Sequence, residues 1–123
     1  MSSRARSIVV GFDGSEVAGR ALDAAADLAG YGSTLTVVSV RDGRVEPDRA
    51  IDAARERLRR RSILARYLEP IGDAADELVG AARDAGADLV VVGRRHRGLT
   101  QLVLGSVSAK VVRQAPCDVL VVR

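Results

Sequence analysis

Five short runs of β-branched and aliphatic residues alternate along this 123-residue chain with four segments of helical period, and that alternation restricts the fold more than any other feature. The runs "SIVVGF" (Ser7 to Phe12), "STLTVVSV" (Ser33 to Val40), "ILARYLEP" (Ile63 to Pro70), "ADLVVVG" (Ala87 to Gly93) and the terminal "CDVLVVR" read as strands. In the first intervening segment Ser15 suits an N-cap, and Val17, Ala18, Ala21, Leu22, Ala25 and Leu28 recur on one face before Gly30 and Gly32 stop the helix. Pro47 opens a second helix through "DRAIDAARERLRRR", with Ile51, Ala54 and Leu58 on one side. A third, "GDAADELVGAARDAG", starts near Asp73, carries Ala75, Leu78, Val79 and Ala82, and closes at Gly86. "SVSAKVVRQA" is the fourth, ended by Pro116. This order predicts an open, doubly wound, mostly parallel five-stranded sheet with helices on both faces. The Ile63 to Pro70 strand, ending in proline, suits an edge, where a missing ladder donor costs least. Ala87 to Gly93, the most apolar strand, is expected at the centre.

The length suits one domain, residues 1–123, able to bury a core of its own. With aromatics at only 2%, that core must be Val, Leu, Ile and Ala, and recognition by ring stacking is nearly excluded. The formal charge is +3, carried almost wholly by arginine, with Lys110 the single lysine. Without aromatic platforms, nucleic acid is a disfavoured partner, and the basic tract "RERLRRR" (Arg55 to Arg61) reads as a solvated helix face. A lone Cys117 rules out an internal disulfide and is expected to be buried and inert at the start of the last strand. The sequence near Met1 lacks the form of a signal peptide and no apolar run is long enough to span a bilayer, so a cytoplasmic protein with no membrane partner is expected.

In such sheets a ligand binds beyond the carboxyl ends of the strands, where strand order reverses. If the first and fourth strands flank that point, "FDGS" and "GRRHRG" face each other. Asp13, the strand end Ser39 to Arg41 and the helix start "GSVS" (Gly105 to Ser108) then line one crevice. The helix start would offer phosphate its backbone N–H groups and the positive end of the helix dipole, and Arg94, Arg95 and Arg97 would add charge if turned inward. The polarity is that of a nucleotide site. No G-x-x-x-x-G-K-[ST] loop is present, and the first turn lacks the G-x-G-x-x-G spacing of a dinucleotide fold. His96, the single histidine, has no nucleophile elbow to serve, and one Cys with one His makes a zinc site improbable.

Three segments, "VVGFDGS", "TVVSVRD" and "GRRHRGLTQLVLGSVSAKVVRQAPCDVLVVR", together with the order of elements, resemble the universal stress protein family over nearly the whole chain. The resemblance implies a Rossmann-like sheet of strand order 3-2-1-4-5 and, in ATP-binding members, the signature Gly-x2-Gly-x9-Gly-Ser/Thr. Gly93 matches its first glycine, and Gly105 with Ser106 its last pair. His96 stands where the middle glycine belongs, only eight residues separate it from Gly105, and Gly98 is the nearest replacement. A middle glycine lets backbone approach phosphate without a Cβ, so its loss alters the loop.

Carried over residue by residue, the resemblance puts Asp13 on the adenosine side, Val40 against the adenine and Gly93 beside the nucleotide. Gly105, Ser106, Val107 and Ser108 surround the phosphates, with Gly98 closing on them after a loop shift. It implies ATP or a related adenine nucleotide, with Mg or Mn held by the phosphates, in a stress-response or regulatory module. No general base with an evident partner stands near the crevice, so little or no turnover is expected. A dimeric interaction module without nucleotide, and a slow ATPase or autophosphorylating protein, are the alternatives. The resemblance also implies a homodimer through the terminal strand, with Val119, Leu120, Val121 and Val122 partly buried only in the dimer.

Overall fold

The structure, a computed structural model, describes residues 6–30, 32–41, 49–94 and 105–123. Its elements, in order, are β1 (Ser7–Gly11), α1 (Glu16–Ala29), β2 (Thr34–Val38), α2 (Arg49–Arg60), β3 (Arg66–Leu68), α3 (Ala74–Asp84), β4 (Leu89–Gly93), α4 (Ser106–Gln114) and β5 (Asp118–Val122). The five strands form one parallel sheet of order β3-β2-β1-β4-β5. Pro47 and the expected turn around Gly43 lie outside the described residues. Among the described residues no helix is long and apolar enough to cross a membrane.

The central strand is β1, not β4. Residues Ile8, Val9 and Val10 pair with β2 on one side and with β4 on the other. Hydrophobicity could not separate the two candidates, because all three of these residues, like Val90 and Val91, are completely buried. Centrality follows instead from the crossovers. The chain runs β1, β2, β3 outward in one direction, then returns past β1 to add β4 and β5 on its other side. The short β3 is an edge, as its proline suggested, but only three residues long. Ile63 is withdrawn from it because its N–H caps α2 by bonding the Leu58 carbonyl at 3.0 Å.

Strand alternation divides the core between the two faces. Ile8, Val10, Leu35, Val37 and Val91 pack against α1 and α2, whereas Val9, Val38, Val90 and Val92 pack against α3 and α4. Each fully buried leucine, such as Leu22 of α1 or Leu58 of α2, contributes about 2–3 kcal/mol. The buried stripe of α1 runs through Ala18, Ala21, Leu22, Ala25, Ala26 and Ala29. Leu28, expected on that stripe, is 41% exposed, and Ala29 takes the inward place at the end of the helix.

The basic tract is a solvated face only in part. Arg55, Arg59 and Arg60 are exposed, the last two over Glu56, and Arg55 lies 4.6 Å from the Tyr67 ring centroid. Arg57 instead crosses to α1 and grips Asp23 with two hydrogen bonds, at 2.9 and 2.7 Å. Arg61 pairs with Asp27 and with the Asp23 backbone. Gly19 admits this ladder, since a Cβ there would lie 2.9 Å from the Arg57 guanidinium. Arg57 first, through its hydrogen bonds, pulls the Asp23 carboxyl below its ordinary pKa.

Two helices end in the same motif with different residues. After α3, the N–H of Ala87 bonds Ala82 O at 2.9 Å and that of Gly86 bonds Arg83 O, with Gly86 at φ 58°. After α2, Ile63 and Ser62 make the matching bonds to Leu58 and Arg59, with Ser62 at φ 56°. A serine side chain is strained in that left-handed conformation. Ser62→Gly is therefore expected to stabilise the fold by about 0.5–1 kcal/mol in urea unfolding. Within α3, Gly80 has nothing within 4 Å of where a Cβ would stand. Gly80→Ala is expected to add about 0.5–1 kcal/mol, raising the melting temperature by roughly 2–5 °C in calorimetry.

Candidate functional site

The order of strands reverses between β1 and β4, and at their carboxyl ends a cleft of about 340 Å³ opens. Seven of the eight sequence-predicted residues meet in it: Asp13, Val40, Gly93, Gly105, Ser106, Val107 and Ser108. Gly98, with Arg95, His96 and Arg97, lies outside the described residues. Arg94 is described and half-buried, but is not among the lining residues, and its N–H is bonded to the Val122 carbonyl.

Strand β1 delivers Asp13 through a tight turn in which Gly14 adopts φ 86°. The Asp13 carboxylate accepts the Ser15 N–H at 2.9 Å, which fixes its orientation at the mouth of α1. Asp13 is the only charged side chain among the described lining residues. The walls are apolar: Val38 and Val40 from the end of β2, Val17 and Ala18 from α1, Val92 from β4, and Ala74 and Leu78 from α3. Phe12 also lines the cleft but is 6% exposed, so its ring belongs to the core and offers no stacking platform.

Glycine ends both strands flanking the switch point, and each admits a helix. A Cβ on Gly93 would stand 3.1 Å from the backbone carbon and both γ carbons of Val17. A Cβ on Gly11 would meet Leu78 at 3.0 Å on the opposite face. Gly93 thus has a packing task besides its place in the cleft, because it lets α1 close on β4.

Three helices begin at this cleft, and their N-termini are treated differently. Ser15 caps α1, its hydroxyl accepting from the Ala18 N–H at 3.2 Å. Asp73 caps α3, accepting from Asp76 N–H at 3.0 Å. For α4 the cap residue is Gly105, and among the described residues no side chain closes that end. Ser108 could have done so, yet its hydroxyl donates to the Gly105 carbonyl at 3.1 Å. The first N–H groups of α4 have no acceptor within the helix and converge with its positive dipole end on the cleft.

Sequence reasoning missed the α3 wall, Ala74 and Leu78, and the strand-end valines Val38 and Val92. The strand ends follow from the same rule that located Asp13; the α3 residues do not, since which helix walls the cleft depends on how the layers stack. Two features outside the cleft also differ from expectation. Cys117 is half-buried rather than buried, and burial raises its thiol pKa, with Asp118 and Asp88 adding to the rise. Val119, Val121 and Val122 already pack on the core of the single chain, so their partial burial does not await a dimer.

A sequence model of the universal stress protein family matches residues 4–66 and 45–123. Universal stress protein YxiE of Bacillus subtilis is 31% identical over 144 residues, covering 94% of this chain and 97% of that protein. Among solved structures, a universal stress protein in complex with cAMP superposes with a TM-score of 0.77 at 29% identity, covering 98% of this chain and 99% of the other. The universal stress protein of Archaeoglobus fulgidus in complex with dAMP matches at a TM-score of 0.74 and 20% identity over 98% of each chain, a likeness of fold. Motif, topology and family match agree: the chain belongs to the universal stress protein family.

Proposed function

We propose that the cleft binds an adenine nucleotide, and that the chain is a stress-response or regulatory module with little or no turnover. The observation that carries this is the uncapped start of α4 facing Asp13 across an apolar slot. The N–H groups of Ser106, Val107 and Ser108 would take phosphate oxygens at the helix end. Gly105 and Gly93 would stand beside the ligand, and Gly98 would complete the phosphate side. Asp13, oriented by Ser15, would accept ribose hydroxyls, and Val40 would cover the adenine. The cAMP and dAMP held by the two solved relatives support the class of ligand. ATP fits the same roles. With ATP, Mg or Mn would be held by the phosphates. Asp13 already accepts the Ser15 N–H, and the part proposed for it is to hold ribose hydroxyls.

Calorimetric titration with AMP, cAMP and Mg-ATP should show micromolar binding to the cleft. Ser106→Pro isolates the central contact. Ser106 is the first residue of α4, where proline is tolerated, and Gly105 already has the extended ψ of 164° that a following proline requires. The substitution removes one donor to a charged oxygen and should weaken binding about tenfold or more, with the melting temperature little changed. Unchanged affinity would remove the start of α4 from the site.

We also propose a homodimer through β5, an edge of the sheet. Leu120, 36% exposed, is the residue a partner would cover most, with Val119, Val121 and Val122 supporting the edge from within. Sedimentation equilibrium at micromolar concentration should give twice the chain mass, and Leu120→Lys should halve it. A wild-type monomer under those conditions would dispose of the interface.

A further inference from the structure

Lys110 lies one turn beyond Ser106 on α4, and helical side chains lean toward the helix N-terminus. Its ammonium therefore reaches back toward the start of α4. There it stands 3.2 Å from the Asp73 carboxylate and 2.8 Å from that of Asp76. Asp73 is the N-cap of α3, next in sequence to Ala74, which lines the cleft. Two carboxylates on the first turn of α3 thus border the wall beside the uncapped start of α4.

Such a pair would oppose any anion bound at α4. With Lys110 the three groups sum to one negative charge; without it they sum to two. We propose that Lys110, the single lysine of the chain, is a positioning and charge-compensating residue for the anion site: it neutralises part of the Asp73–Asp76 field and holds the first turns of α3 and α4 side by side. The proposal rests on the cleft binding an adenine nucleotide, and extends it to a residue outside the lining. The Asp76 N–H first, then Lys110, lowers the Asp73 pKa. Asp76 first, then Asp73, raises that of Lys110.

The test separates charge from structure by comparing a charged ligand with its neutral counterpart. Affinities for AMP and for adenosine are measured by calorimetry on the wild type, Lys110→Met, Lys110→Arg, Asp76→Asn and the double variant Lys110→Met/Asp76→Asn, at low and high salt. Lys110→Met should weaken AMP roughly threefold to tenfold at low salt and leave adenosine unchanged. The loss should shrink at high salt, where the Debye length falls to a few ångströms. Lys110→Arg should keep AMP affinity, and the double variant should recover most of it. Asp76→Asn alone should move the opposite way, tightening AMP about twofold to threefold. Equal weakening of AMP and adenosine by Lys110→Met would show a merely structural role, and unchanged AMP affinity in both single neutralising variants would show no role; either overturns the proposal. Wild-type protein that binds neither ligand would overturn the nucleotide assignment itself, a failure visible before any variant is made.

Discussion

The parallel pairing of β1 with β4 is the constraint on which the cleft depends. The two strands are neighbours in space but are separated in sequence by two complete β-α units, and the strands that follow them, β2 and β5, lie on opposite sides of the pair. Among the described residues no connection crosses the gap between them. Polar groups that would otherwise be covered by a crossover loop stay accessible there, and α1 and α4 both begin at its rim. Gly11 and Gly93 make the arrangement tight enough to form walls, because α3 and α1 close on the strand ends where any side chain would hold them off.

Within that frame the chemistry is decided by how each helix start satisfies its own N–H groups. Side chains close α1 and α3, which leaves their dipole ends already matched by a hydroxyl and a carboxylate. At the start of α4, among the described residues, no side chain takes that part. The proposed nucleotide would place its anion at this one of three helix starts for that reason, and its hydroxyl donors on the side of the slot that carries the Asp13 carboxylate. The Lys110 contact with α3 belongs to the same balance, since it limits the negative field of an otherwise acidic helix turn beside that position.

Much of this was legible in the sequence, for identifiable reasons. The strands and helices could be read because two-sided burial of a parallel sheet forces continuous apolar runs, and because Ser15, Asp73 and Gly86 sit where caps must sit. Asp13 and the Gly105 to Ser108 turn could be read because a doubly wound sheet presents its ligand site at strand ends. What failed was of another kind. The central place of β1, the outward turn of Leu28, the paired state of Arg57 and Arg61, and the part taken by α3 all involve residues far apart in the chain. Periodicity reports whether a residue faces inward on its own element; it carries no record of which other element lies opposite.

The sequence by itself determined the kinds of elements, their order, their parallel sense and the identity of the polar groups at the crevice, because these follow from local spacing, capping chemistry and the handedness of β-α-β connections. Tertiary structure alone decided which helix walls the cleft beside the strand ends, which carboxylates pair with Lys110, and that Arg57 of α2 is occupied by α1. Those outcomes depend on distances of a few ångströms between segments tens of residues apart, set by how the helical layers pack on the sheet.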